Sequence, residues 1–169
     1  MSNLKEHYNR LAPNRKEWLS RNQFFHAEIL RYCRFVIPEN SSVLELGCDT
    51  GYLLAGLKPS YGVGVDISPE MLTIAREKYP HLKFFSADVE DFEIKEKFDY
   101  VVITGTLGSV RNIQSFLKKI SSMMTNDTRV IITYYNGYWG PLLRFAERIK
   151  WKLPEIAEKI REEDKKLGF

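Results

Sequence analysis

The 169-residue chain contains little that would hold a metal or place it outside the cytoplasm. Its two cysteines, Cys33 and Cys48, form neither a CxxC pair nor a Cys/His ligand spacing. This excludes a disulfide framework and a structural zinc site. No apolar run approaches the roughly 20 residues of a membrane-spanning helix, and the N-terminal residues lack the apolar segment of a signal peptide. We therefore expect a cytoplasmic protein with no metal site and no stable membrane insertion.

An excess of charge of one sign is also lacking. The 25 Lys and Arg residues nearly balance the 22 Asp and Glu residues, which leaves a formal net charge of +3. So small a charge gives no reason to expect a nucleic-acid partner. The hydrophobic content of 44% is ordinary for a globular protein. The sequence therefore predicts one domain over residues 1–169, with an N-terminal helical cap (1–40), a central core (41–135) and C-terminal helices (136–169).

Short apolar strands alternate with helical patterns through the central core. Such alternation is typical of a parallel sheet with helices on both faces, which defines an α/β sandwich of three layers. Residues 1–20 could form a short helix or a lid, and residues 22–36 repeat apolar positions at helical spacing. The predicted strands cover residues 43–46, 61–67, 82–85, 98–103 and 129–135.

Polar residues and glycines follow the predicted strands, where ligands of parallel sheets bind. The first strand runs into the glycine turn GCDTG, residues 47–51, which allows close approach of a ligand to the backbone. Asp66 follows the second strand, 19 residues beyond Gly47, a spacing that suits hydrogen bonds from ribose hydroxyls. Taken alone, the turn could be a simple strand-to-helix connection, and Asp66 a helix-capping residue.

The next two strand ends carry Asp88 with Val89 and the small polar run Thr104-Gly105-Thr106. A carboxylate with a neighbouring backbone N–H could pair with the edge of an adenine. Aspartate is common in loops, however. Asp88 is therefore assigned to a nucleoside site only because Asp66 and the glycine turn already indicate one.

Four segments in order, VLELGCDTG, GVDISPEML, FFSADVEDF and FDYVVITGTL, resemble the class I S-adenosylmethionine-dependent methyltransferases. The resemblance covers residues 41 to about 135. It implies a Rossmann-like αβα sandwich with a mainly parallel sheet. It also implies S-adenosylmethionine as methyl donor and S-adenosylhomocysteine as product.

The resemblance places cofactor-binding residues at every strand end. The first motif and the turn around the methionine end of the cofactor correspond to Glu45, Gly47, Cys48, Asp49 and Gly51. The nucleoside end corresponds to Asp66 for the ribose, to Ile67 and Met71 for the adenine ring, and to Asp88 and Val89 for the adenine edge. The resemblance further implies Thr104 beside the amino group of the cofactor, and Tyr8 in a segment that folds over it.

A nicotinamide-dependent dehydrogenase is the alternative within the same fold class. Its fingerprint G-x-G-x-x-G would require glycine at positions 47, 49 and 52. Asp49 and Tyr52 do not fit that pattern, so the methyltransferase is favoured.

Asp49 departs from the methyltransferase pattern, which has glycine at this position. Aspartate tolerates a positive φ better than most residues, so we expect the turn to survive. Two like charges about 4 Å apart repel by ~1 kcal/mol in water and ~4 kcal/mol at an effective dielectric constant of 20. The ammonium and sulfonium of the cofactor would offset part of this repulsion of the methionine carboxylate. We therefore predict weakened cofactor binding, and tighter binding by the Asp49→Gly variant.

The C-terminal segment is the second departure. After Tyr135 the sequence shows a charged helical pattern, not the β-hairpin that ends the sheet in the family. The hairpin is thus expected to be missing, and the fifth strand would be a sheet edge. A shortened chain, a divergent variant and a homodimer that covers this edge all remain open.

The sequence favours a methyltransferase that acts on a small-molecule acceptor. Its fourth strand ends in TGT, not in the Asn-Pro-Pro-Tyr type of motif found in many enzymes that methylate nucleic-acid bases. No motif identifies a catalytic base; His7 and His26 are interpreted as ordinary surface or helix residues. A non-catalytic binding or regulatory module is the alternative, since Asp49 and the missing hairpin could both disable catalysis.

Overall fold

The computed structural model describes residues 2–133, with side chains from residue 4 onward. The chain divides into two units after Thr133. The predicted C-terminal helices, the end of the fifth strand and the missing hairpin lie outside the described residues. The organisation predicted over residues 1–169 therefore stays a prediction.

Within residues 2–133, five parallel strands form one sheet in the order β3-β2-β1-β4-β5. The strand order reverses between β1 and β4, and the loops after these strands border the crevice where such sheets bind ligands. This topology confirms the predicted α/β fold. The strands are β1 (Ser42–Leu46), β2 (Tyr61–Asp66), β3 (Lys83–Ser86), β4 (Phe98–Thr104) and β5 (Met124–Thr133).

Helices cover both faces of this sheet. Side chains alternate between the two faces of a strand, so neighbouring residues of β1 enter different cores. Val43 packs with Leu54 and Leu72, whereas Leu44 packs on the other face with Phe116. The predicted sandwich of three layers is thereby confirmed. The helices are α1 (Ser2–Arg21), α2 (Gln23–Val36), α3 (Tyr52–Gly56), α4 (Pro69–Lys78) and α5 (Ile113–Ser121), with a short 3₁₀ turn at Leu107–Ser109.

The start of α4 follows from its local sequence. Ser68 Oγ accepts a hydrogen bond from the backbone N–H of Met71 at 3.2 Å, and Pro69 occupies the first helical position. Both residue types are favoured there because they satisfy or remove otherwise unpaired N–H groups. As a result, α4 begins three residues after Asp66 and fixes the backbone that follows β2.

The boundary between α5 and β5 differs from the prediction. We expected the fifth strand to begin at Arg129, but β5 already begins at Met124. Its pairing with β4 is irregular there: Phe98 pairs with Met124, and Tyr100 pairs with Arg129. The intervening residues are polar and show no apolar alternation, so periodicity could not reveal that they belong to the strand.

Among the described strands, β5 lies at one end of the sheet. That it is an edge of the whole sheet stays a prediction. Its side chains Val130 and Ile132 are 36% and 44% exposed. The homodimer that would cover this edge stays a prediction. Within residues 2–133, no helix combines the length and the apolar character needed to cross a membrane.

Candidate functional site

The loop after β1 has an unusual backbone. Gly47, Asp49 and Gly51 all take positive φ values, of 84°, 52° and 73°. Asp49 thus adopts the left-handed conformation that the sequence predicted it could tolerate. The backbone N–H groups of Gly47 and Cys48 both donate to the carbonyl of Val65, at 2.8 and 2.9 Å. These bonds tie the turn to the end of β2.

Two glycines of this loop are required by their neighbours. A Cβ atom on Gly47 would overlap Thr106 Oγ1, and one on Gly51 would lie 2.8 Å from Phe84 Cζ. Thr106 is itself fixed, because its hydroxyl donates to the carbonyl of Leu46 at 3.0 Å. The loops after β1 and β4 are therefore in direct contact at the point where the strand order reverses.

Asp66 joins three segments of the site. Its Oδ2 accepts the backbone N–H of Asp49 at 2.8 Å, and its Oδ1 accepts that of Ser68 at 2.9 Å. The residue is 9% exposed. Burial raises the pKa of Asp66 to about 6, with a smaller upward contribution from Asp49. The carboxylate is therefore ionised at pH 7, and each oxygen still has room for another donor.

Glu45 has a structural place beneath the loop. Its side chain is 2% exposed, and its Oε2 accepts the backbone N–H of Leu54 at 3.0 Å, in the first turn of α3. Burial raises the pKa of Glu45 well above its usual value. This predicted site residue thus secures the helix that follows the turn.

Asp49 has an ion-pair partner that no sequence motif indicated. The guanidinium of Arg15, in α1, contacts Asp49 Oδ2 through both Nε and a terminal nitrogen. Asp49 Oδ1 accepts the backbone N–H of Thr50 at 2.6 Å. The predicted repulsion treated Asp49 as an unpaired charge, and that premise is wrong. Whether Asp49 weakens cofactor binding stays a prediction.

Arg15 also contacts an aromatic ring. The guanidinium lies 4.1 Å from the ring centre of Trp18, whose ring meets that of His26 edge to face at 5.1 Å. Burial, followed by the charge of Arg15, lowers the pKa of His26 to about 4. His26 is thus a half-buried, neutral residue at pH 7, not a surface histidine. Trp18 Nε1 and His26 Nε2 are buried without a hydrogen-bond partner in the described part of the chain.

A second contact places α1 beside the end of β2. The hydroxyl of Ser68 donates to Asn9 Oδ1 at 2.7 Å. The neighbouring Tyr8 is half-buried, and its ring lies 5.4 Å from that of His7. Asn9 and Arg15 therefore place α1 across the loops after β2 and β1. Tyr8 lies on this helix, and its approach to a ligand stays a prediction.

The end of β3 is built differently. Asp88 Oδ1 accepts the backbone N–H of Glu90 at 2.9 Å, and Asp88 Oδ2 lies 3.8 Å from the guanidinium of Arg111. Glu90 in turn accepts bonds from the backbone N–H groups of Arg111 and Asn112. One backbone bond links this region to β2, from the N–H of Ala87 to the carbonyl of Asp66 at 3.0 Å.

The remaining predicted residues differ in exposure. Ile67, Val89 and Thr104 are half-buried at the ends of β2, β3 and β4. Cys48 and Met71 are almost fully buried, 3% and 2% exposed, so they belong to the core. The structure thus brings Gly47, Asp49 and Asp66 into one connected arrangement. Asp88 forms a separate local cluster.

Sequence reasoning missed Asn9, Arg15 and Trp18. All three lie on α1, whose sequence carries no motif, and Arg15 is 34 residues from its partner Asp49. Within residues 2–133, no group of three or more His, Cys, Asp or Glu side chains is placed to hold a metal ion.

A Rossmann-like sheet with a glycine turn and an acidic residue at the ends of its first two strands defines a class of nucleoside-binding α/β proteins. Comparison with known proteins gives the family. The methyltransferase domain family matches residues 16–164, and the chain belongs to this family. The resemblance inferred from the four sequence segments is thereby confirmed.

Individual relatives agree with this assignment. The chain is 34% identical over 130 residues to dTDP-3-amino-3,4,6-trideoxy-alpha-D-glucopyranose N,N-dimethyltransferase of Streptomyces venezuelae, covering 73% of this chain and 55% of that protein. It resembles the structure of an S-adenosylmethionine-dependent methyltransferase from Thermotoga maritima, with a TM-score of 0.73 and 20% identity over 86% of this chain and 69% of that one. It also resembles N-methyltransferase NodS of Bradyrhizobium japonicum bound to S-adenosylhomocysteine, with a TM-score of 0.66 and 18% identity over 77% and 72% of the two chains. The chain spans between about a third and just over half of the length of the first curated relatives that it matches.

Proposed function

We propose that this chain binds S-adenosylmethionine and transfers its methyl group to a small-molecule acceptor. The observation that supports this most directly is Asp66. It is a buried carboxylate that stays ionised at pH 7 and is held against the left-handed turn of residues 47–51. Family membership and the strand order support the same assignment.

The residues at the strand ends suit such a cofactor. Each oxygen of Asp66 carries one backbone hydrogen bond and can accept another, which matches the two hydroxyls of a ribose. Gly47 and Gly51 supply the left-handed backbone conformation of the turn. Asp88 and Val89, at the end of β3, are proposed to meet the adenine edge, and Thr104 the amino end. Ile67, Met71 and Tyr8 are proposed as apolar neighbours of the ligand.

When bound, S-adenosylmethionine would supply a methyl group already activated by a sulfonium. The protein then has to align the acceptor with that methyl group and to exclude water. A proton acceptor is needed only if the attacking atom loses its proton in the transition state. The described residues that contribute here are those that fix the loops after β1, β2 and β4, chiefly Asp66 and Thr106.

The proposed acceptor is a small molecule, and an amine is the first type to test. The Streptomyces venezuelae relative is named for the N,N-dimethylation of an amino sugar. Another relative, 26% identical over 113 residues, is the (S)-tetrahydroprotoberberine N-methyltransferase of Eschscholzia californica. The small net charge of +3 also favours such acceptors over nucleic acids.

Calorimetric titration tests the cofactor assignment. The purified chain is titrated separately with S-adenosylmethionine and S-adenosylhomocysteine, and micromolar binding of both is expected. Asp66→Asn should weaken both ligands at least tenfold, because an amide accepts fewer hydrogen bonds than a carboxylate. Asp127→Asn, an exposed change in β5, is the matched control and should leave binding unchanged. An absence of binding at millimolar ligand would contradict the proposal.

Catalysis is tested separately by transfer of a labelled methyl group to a panel of amines. Formation of a methylated product from any of these amines supports the proposed methyltransferase activity. Tight binding of the cofactor without transfer to amine, hydroxyl or thiol acceptors would instead favour the non-catalytic module.

A further inference from the structure

The ion pair between Arg15 and Asp49 stands at the turn where the proposed cofactor would lie. Asp49 replaces a glycine of the family pattern, and Arg15 comes from α1, a different element. Both side chains are largely shielded from solvent, at 17% exposure for Arg15 and 27% for Asp49. Shielding strengthens the attraction between the two charges relative to a pair on the open surface.

The position of this pair along the sheet matters. In the strand order, β3 and β1 lie on opposite sides of β2. If Asp66 at the end of β2 binds the ribose and Asp88 at the end of β3 meets the base, the ligand's other end lies over the turn after β1. For S-adenosylmethionine that end carries a carboxylate. This step rests on the proposed function.

Charge at the turn is already predominantly negative. Asp49 contributes to the raised pKa values of both Glu45 and Asp66, after the larger effect of burial, whereas Arg15 acts on Asp66 in the opposite direction. A further carboxylate entering this region would be repelled by Asp49 and attracted by Arg15. Arg15 therefore decides whether such a ligand is accepted.

The surroundings of Arg15 also suit an incoming carboxylate. Its guanidinium stacks on Trp18, which holds the planar group in one orientation. Trp18 Nε1 and His26 Nε2 are buried close by without a hydrogen-bond partner in the part of the chain that the structure describes. The indole N–H of Trp18 can only donate, so it favours a ligand that brings an oxygen acceptor.

We infer that Arg15 binds the carboxylate at the amino-acid end of the ligand, and that Asp49 is an internal carboxylate that competes for Arg15. In the free protein Asp49 satisfies the guanidinium. Ligand binding replaces the Asp49 carboxylate at Arg15 by the ligand carboxylate. Part of the free energy gained from the new ion pair therefore offsets the loss of the old one. Asp49 thus sets the affinity below the value that Arg15 alone would give.

The test compares two ligands that differ only at this end. S-adenosylhomocysteine carries the amino-acid group, whereas 5′-methylthioadenosine keeps the nucleoside and the thioether but lacks that group. Both are titrated by calorimetry into the wild type, Asp49→Asn and Arg15→Gln. Asparagine tolerates the positive φ at position 49 and can still accept the Thr50 N–H, so the turn is retained.

Asp49→Asn should tighten S-adenosylhomocysteine about tenfold, and Arg15→Gln should weaken it about tenfold or more. Binding of 5′-methylthioadenosine should change less than about twofold in either variant. Asp49→Gly should act in the same direction as Asp49→Asn. Arg10→Gln, an exposed charge change on α1, is the control and should alter neither ligand.

The outcomes separate this inference from the proposed function. If neither ligand binds the wild type, the proposed function fails. If both bind but Arg15→Gln changes them equally or not at all, Arg15 is no carboxylate-binding residue. If Asp49→Asn weakens S-adenosylhomocysteine, Asp49 does not compete and instead contributes directly to binding. Either of the last two results overturns the inference.

Discussion

The ends of β2 and β3 carry the two aspartates that the sequence assigned to one cofactor, yet the structure uses them differently. Asp66 is buried and holds backbone N–H groups from two loops. Asp88 caps the turn that contains it and faces Arg111 at the surface. The two aspartates thus follow neighbouring strands but have different roles. Asp66 connects distant segments, whereas Asp88 acts locally.

This difference matters for how the site responds to change. Because Asp66 accepts the N–H of Asp49, any change at Asp66 reaches the turn after β1. A change at Asp88 reaches only the short segment up to Glu90 and the side chain of Arg111. We expect ligand binding and fold stability to be coupled at the end of β2 and largely separable at the end of β3.

The largest expected effect comes from Asp66→Asn. The amide nitrogen cannot accept a hydrogen bond, so one buried backbone N–H, from Asp49 or Ser68, loses its partner. We expect a loss of about 1–3 kcal/mol in the free energy of unfolding, measured by urea denaturation. The matched change Asp88→Asn keeps an acceptor for the Glu90 N–H and should cost about 0.5 kcal/mol or less. Equal losses in the two variants would refute the contrast.

The pH dependence of stability offers a second test of the region around Asp66. The folded pKa of Asp66, about 6, lies above its ordinary value of 3.8, so its contribution to stability is lost as pH rises between about 4 and 6. The folded pKa of His26, about 4, lies below its ordinary value of 6.5. Its contribution is therefore lost in the opposite direction, as pH falls from 6.5 to 4.

We accordingly expect the two residues to offset each other in the wild type. Relative to the wild type, His26→Gln should lose stability more steeply as pH rises from 4 to 6.5, and Asp66→Asn less steeply. Urea denaturation at several pH values measures both slopes. Differences from the wild type are compared because Glu45, whose pKa is also raised by burial, titrates in all three proteins. Parallel profiles for the three proteins would contradict this prediction.

The smallest difference between two variants is expected for the helix caps beside these regions. Ser68 caps α4 next to Asp66, and Asn112 caps α5 next to Glu90. Ser68→Ala removes the cap and also the donor to Asn9 Oδ1, whereas Asn112→Ala removes an exposed cap. Losing a cap costs about 1 kcal/mol. We expect Ser68→Ala to cost about 1 kcal/mol more than Asn112→Ala in urea denaturation, because a second, partly buried bond is lost.

Much of the fold was open to prediction because its signals are local. Apolar strands separated by helical patterns indicated the parallel sheet. The start of β5 was missed because residues 125–128 are polar and interrupt the regular pairing with β4. Within the site, the positive φ of Asp49 followed from residue type, whereas its partner Arg15 carried no sequence signal.

By itself the sequence determined the order of strands and helices, the turn at residues 47–51 and the spacing from that turn to Asp66. These features depend on backbone preferences and on periodicity over a few residues, which neighbours in the chain control. The tertiary structure decided that Asp66 holds the turn after β1, that α1 crosses the loops after β1 and β2, and that Arg15 neutralises Asp49. Such contacts join residues far apart in the chain, so they depend on how helices pack against the sheet, which no local pattern specifies.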